Sequence, residues 1–231
     1  MITLFHYPLS TQSRFIRLVL GECEVVPNLV EERPWERRTD FLLLNPAGTV
    51  PVLVEHEGRP IAGVWAASEY LDETRGFALN ERRLLPSNAE QRADVRRVCE
   101  WFLFKFDEEV TAYLVEEKVI KREKARAGGD GGAPDSSLLR AARANIRVHL
   151  RYIEHLVTAK NWLAGDRMSY ADLAAAAGLS VADYLGEVPW QEAPEAKDWY
   201  VRMKSRPAFR PLRAELVRGF NPPSHYAELD F

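Results

Sequence analysis

The feature that most constrains this chain is a change of pattern near residue 75. Before it, short runs of strand-forming residues alternate with helical periodicity; beyond it, only helical periodicity is left. Ile2 to His6 predicts a strand, Pro8 breaks it, and Ser10 precedes a helical pattern through Phe15, Leu18 and Val19 that stops at Gly21. Val25 to Val30 predicts a second strand and Trp35 to Leu44 a second helix. Val52 to Glu55 and Arg59 to Ile61 then form a strand pair joined through Glu57-Gly58, and Trp65 to Thr74 a third helix. After the charged stretch Thr74 to Pro86, helical patterns cover 88–124, 137–159, 170–186 and 191–205, with a short one at 208–217. Gly128 to Pro134 (GGDGGAP) cannot continue a helix and is expected to connect two antiparallel ones flexibly. The expected organisation is an α/β domain at 1–75, a linker at 76–87, an all-α domain at 88–218 and a tail at 219–231.

Composition removes several functions. Lys plus Arg is 31 against 34 for Asp plus Glu, a net charge of −3, which gives no field to concentrate nucleic acid or anionic lipid. Cys23 and Cys99 stand apart, so neither a disulfide scaffold nor a zinc ribbon is expected, and a reducing cytoplasm fits. No secretory signal is expected at the N-terminus, and every window of about 18 residues carries charge, so no membrane span is expected either. His6, His56, His149, His155 and His225 lack ligand spacing, and no glycine-rich loop opens a helix after a strand; no metal, cofactor or phosphate cradle is expected.

Local motifs say more. Ser10-x-x-Ser13 with Arg17 opens the first helix; Asn45-Pro46-Ala47-Gly48-Thr49-Val50-Pro51 leads into the third strand; Trp162-Leu163-Ala164-Gly165-Asp166 is followed by Ser169-x-x-Asp172, a capping box that serves folding. With the order of elements, these resemble the glutathione transferase superfamily over essentially the whole chain. The resemblance implies a thioredoxin-like domain followed by an all-helical one. It also implies a thiolate-stabilising role for Ser10 and a cis bond at Pro51 that exposes the Val50 backbone to a peptide-like ligand. Read from the residues alone, Ser10 is a helix N-cap. The Ser10/Ser13 hydroxyls, where redox relatives carry CxxC, cannot exchange disulfides.

One family motif is broken. Glutathione-binding members open the third helix with a Glu/Gln-Ser pair that holds the γ-glutamyl head, and aligning Tyr70-Leu71 with the end of that motif puts Gly63 and Val64 on the pair. Neither side chain can make those hydrogen bonds, so no glutathione site is expected.

Two further features point to a protein partner. Arg140, Arg143 and Arg147, with Arg151, share one side of a helix that offers no acidic residue before Glu154, and an unpaired row of this kind suits carboxylates on a partner. The tail ends His225-Tyr226-Ala227-Glu228-Leu229-Asp230-Phe231, placing Tyr226, Glu228, Asp230 and Phe231 either against the body or before a partner; Trp35 is a weaker anchor of the same kind, or else packs under the second helix. The YPLSTQSR start, the Gly63-Val64 substitution and the HYAELDF tail together resemble the glutathione-transferase-like cell-division proteins of alphaproteobacteria. That branch implies a non-enzymatic homodimer that binds FtsZ filaments, alters their curvature and supports constriction, recruited from the cytoplasm to the division site. The alternatives are a glutathione transferase using Ser10 and a stringent-starvation-like transcription factor partner.

Overall fold

The computed structural model of the chain describes residues 1–56 and 58–229. Ile2–His6 (β1) alternates buried and half-buried side chains, as a strand lying on a core does. It pairs in parallel with Asn28–Glu31 (β2) and antiparallel with Val52–Glu55 (β3), which pairs antiparallel with Ile61–Ala62 (β4), giving the order β2-β1-β3-β4. Thr11–Glu22 (α1), Thr39–Leu44 (α2) and Val64–Arg75 (α3) complete the first domain. β2 starts later than its hydrophobic run because the Val25 N–H closes the end of α1 on the Leu20 carbonyl (2.9 Å) and Pro27 has no N–H to give a ladder. The helix expected from Trp35 splits: Pro34–Glu36 makes one 3-10 turn, and Arg37, left-handed at φ 46°, ends it before α2. Of the turn expected at Glu57-Gly58, Glu57 lies outside the described residues; β4 waits until Pro60 is passed.

A 3-10 segment, Gly76–Arg82, leads into the helical domain: Ala89–Glu100 (α4), Ala112–Val115 (α5), Lys121–Arg126 (α6), Ser136–Ala159 (α7), Tyr170–Tyr184 (α8), Pro194–Lys204 (α9) and Arg210–Ala214 (α10). The stretch from α4 to α6 is one rod interrupted by π-helical turns at Trp101–Lys105, Asp107–Thr111 and Glu116–Ile120. A π turn disturbs the i→i−4 ladder and leaves carbonyls open to outside donors. Two are used here: the Gln12 amide donates to the Leu103 carbonyl (2.6 Å) and the Asn145 amide to that of Glu109 (3.0 Å). Because Gln12 sits on α1, the first of these joins the two domains. α8 is buried along its whole length between them, and its Gly178 admits the Phe106 ring where a Cβ would meet it at 2.8 Å. No helix among the described residues is long and apolar enough to cross a membrane.

At the C-terminal end of β1, His6 is buried and its Nδ1 has no hydrogen-bond partner. Burial, then the fields of Arg17 and Arg14, push its pKa down to about 3. The unfolded chain titrates His6 near pH 6.5, so below that value only the unfolded state takes up the proton. The stability present above about pH 6.5 is therefore lost as the pH falls toward 3, on the order of 2 kcal/mol by pH 5. Urea midpoints at about pH 7 and pH 5 should differ by correspondingly less in His6→Asn than in the parent; equal pH sensitivity would contradict the buried neutral imidazole.

Candidate functional site

Antiparallel pairing of β1 and β3 brings the loop after β1 and the loop before β3 to the same end of the sheet. In the first, Ser10 is the N-cap of α1, its Oγ accepting from the Ser13 N–H (3.2 Å) and donating to Gln12 Oε1 (3.3 Å). In the second, the Val50–Pro51 bond is cis and the Pro51 carbonyl accepts from the Gly63 N–H (3.1 Å). Gly63 caps α3 with a left-handed φ of 94° and no side chain, and Val64 is 6 % exposed. The two loops thus carry the expected backbone, and Gly63 and Val64 offer no polar side chain at the start of α3. The starts of α1 and α3 also contact the helical domain. Gln12 reaches both the Leu103 carbonyl and Asp107 (3.3 Å), Thr11 meets Thr111 at 3.0 Å, and Trp65 stacks on Phe104 with ring centres 6.1 Å apart.

The arginine row needs correction. Arg143 makes a two-pronged pair with Glu187 (2.7 and 2.9 Å) and Arg147 with Glu192 (2.7 and 2.8 Å), while among the described residues Arg140 bonds locally, to the Ser136 hydroxyl (3.2 Å). The carboxylates absent from the helix itself arrive from the α8–α9 connection. Glu187 also accepts from Lys118 (2.8 Å). Burial opposes its charge, but the hydrogen bonds from Arg143 and Lys118 outweigh burial and hold the carboxyl below the usual range. Arg143 and Arg147 keep 50 % and 42 % of their side-chain surface in solvent, so the row remains a surface, though a neutralised one.

The tail is corrected in the same sense. Tyr226 cannot offer its ring to a partner: it is 0 % exposed, set edge-on to Tyr184, with its hydroxyl accepting from Arg14 (3.0 Å) and donating to the Leu212 carbonyl (3.0 Å). Glu228 is exposed. Asp230 and Phe231 lie outside the described residues. Trp35 is half-buried and packs edge-on against Tyr7 with centres 5.0 Å apart, at the end of β1 rather than under α2. Tyr7 has no hydrogen-bond partner for its hydroxyl, and burial, reinforced by Glu123, raises its pKa.

The structure assigns weight to residues that the sequence patterns passed over. Lys118 joins Glu187 to the tail by lying 5.6 Å over the Phe220 ring, and Leu216, 75 % exposed, projects from the strand-like bridge Val217–Phe220. Arg14 and Arg17 interrupt the apolar face of α1, whose first turn carries no acid. That was a legible sign of distant partners, and Glu215 is one, 2.8 Å from Arg17.

Family profiles match twice, for the glutathione S-transferase N-terminal domain at residues 9–74 and for the C-terminal domain at 119–207. FtsZ-localized protein A of Caulobacter vibrioides is 45 % identical over 232 residues, spanning 99 % of this chain and 98 % of that protein. Glutathione S-transferase GstB of Escherichia coli is 25 % identical over 91 % of this chain and 96 % of its own. Among solved structures, a glutathione S-transferase from Sinorhizobium meliloti superposes with TM-score 0.95 at 55 % identity over 100 % of both chains, and FzlA from C. crescentus with TM-score 0.91 at 45 % identity, covering 100 % and 99 %.

Proposed function

The chain belongs to the glutathione S-transferase superfamily, and from that premise we propose that it is a non-catalytic member that binds FtsZ filaments as a homodimer and alters their curvature at the division site. The observation that carries this reading is the full-length match to a protein named for its localisation with FtsZ. The cleft supports it: Gly63-Val64 supplies no head-group contacts, and the Ser10 hydroxyl is engaged with Gln12 and the first turn of α1. A dimer would let one molecule touch two neighbouring filament subunits and raise the effective concentration of the second contact. The proposed partner surface takes in Trp35, Arg140, Arg143, Arg147 and Glu228 with Asp230 and Phe231, and Tyr226 as the anchor beneath it. Co-sedimentation with FtsZ polymers, with the oligomeric state measured by light scattering, tests the proposal; a soluble fraction that ignores polymers would sink it.

Arg140 separates binding from stability, since its hydrogen bond goes to its own helix. Arg140→Glu should weaken filament binding about tenfold with a nearly unchanged unfolding midpoint. Arg143→Glu should lose both, because a new carboxylate would face Glu187. Normal filament binding by Arg140→Glu at low salt would move the surface elsewhere. The second reading, conjugation through Ser10, is favoured by the 55 % identical structure described as a glutathione S-transferase. It requires glutathione-dependent turnover that Ser10→Ala abolishes.

A further inference from the structure

We infer that Arg14, Lys204 and Arg213 are positioning residues for partner binding, clamping the turn Ser224–Ala227 so that Glu228, just beyond it, is presented in one direction. This rests on the tail being part of the partner surface proposed above. Three cations converge on three consecutive residues. Arg14 Nη1 donates to the Tyr226 hydroxyl, the Lys204 ammonium to the His225 carbonyl (3.2 Å), and the Arg213 fork to the Ala227 carbonyl (2.8 and 3.2 Å). Asp183 adds a fourth contact, its Oδ1 3.0 Å from His225 Nε2.

The clamp is expensive. Arg14 and Lys204 are both 0 % exposed, and buried cations are tolerated only when charge and hydrogen bonds surround them. Arg14 meets this with the Pro8 carbonyl (2.6 Å), Ser180 (2.8 Å), Tyr226 and the Glu215 carboxylate at 3.8 Å, and Lys204 with Asp183 at 3.8 Å as well as the tail. Apolar packing would hold a tail down as firmly, since buried ion pairs contribute little net stability. What directional donors add is a single geometry. Fixing this turn also forfeits conformational entropy, a loss that is useful if a partner must meet Glu228 in one geometry. Arg14 stands on α1 just after Ser10, so the loop-helix unit that serves ligand cleft geometry in the fold here orients the C-terminal segment. Beyond the clamp, the Glu228 N–H closes the turn on the His225 carbonyl and its side chain faces solvent.

Tyr226→Phe removes the phenol oxygen and keeps the ring; Arg213→Ala, at a half-buried site, removes the fork without opening the core. In the full-length protein, amide exchange at 225–228 should rise about tenfold in each, exchange in α8 should stay at the parent level, and affinity for FtsZ polymers should fall about tenfold. Arg213→Lys should recover part of that affinity. Raised tail exchange with parental affinity in both variants would overturn the positioning role while leaving filament binding intact, and unchanged tail exchange would overturn the clamp itself. Failure of the unmutated protein to bind polymers would instead remove the proposed function, and the positioning role with it.

Discussion

Glutathione is expected to bind more weakly than about 1 mM, and retention on a glutathione resin is expected to fail. A carboxylate or amide and a hydroxyl at the start of α3 would each contribute roughly 1.5–3 kcal/mol against a charged amino-acid head, so their joint absence lowers affinity about a thousandfold. Gly63 and Val64 replace both. Gly63→Glu with Val64→Ser should restore only weak binding. Space is available, since a Cβ at Gly63 meets nothing within 4 Å, but its φ of 94° strains any other residue by about 1 kcal/mol or more. Val64→Ser also gives up apolar burial at a site 6 % exposed. Calorimetric titration decides this: a dissociation constant well below 1 mM for the unmutated protein would count against the non-catalytic reading.

What the sequence made legible was local. The N-cap at Ser10 and the capping box at Ser169 and Asp172 each depend on residues within a few positions of one another, and both are present, as is the cis bond at Pro51 that the family resemblance implied. The broken head-group motif was legible for the same reason, since fixed spacing to Tyr70-Leu71 places Gly63 and Val64 at the mouth of α3. What escaped was set by distant groups. The arginine row was visible on its helix, but Glu187 and Glu192 lie 44 and 45 positions further along the chain, and no periodicity links a helix face to a loop that packs beside it. Whether Tyr226 docks or faces a partner stayed open in the sequence because its phenol's partner, Arg14, is 212 positions away on the first helix. The 3-10 break before α2 turns on Arg37 adopting a left-handed backbone, a conformation that glycine or asparagine would have announced and arginine conceals.

Asp172→Ala is expected to destabilise the protein by about 3–5 kcal/mol, a large share of the roughly 5–15 kcal/mol that holds an ordinary domain folded. Its carboxylate, 0 % exposed, collects the Ser169 N–H (2.9 Å), the Leu163 N–H (3.0 Å) and the Trp199 indole N–H (3.1 Å), tying the start of α8 to the preceding turn and to α9. Alanine would leave these buried donors without an acceptor, and the penalty is desolvation of each rather than the modest net value of a single bond. Asp172→Asn keeps an oxygen for one or two of them and should fall between, at about half the loss. Urea denaturation measures both. Since α8 carries Ser180, which meets Arg14, and Asp183, which meets His225, loss of its cap should also loosen the tail, and filament binding should fall together with stability. That joint loss separates Asp172→Ala from Arg140→Glu, which is expected to lose binding alone. An Asp172→Ala protein with a parental urea midpoint would mean that water replaces the carboxylate at the start of α8 and that the capping box contributes little there.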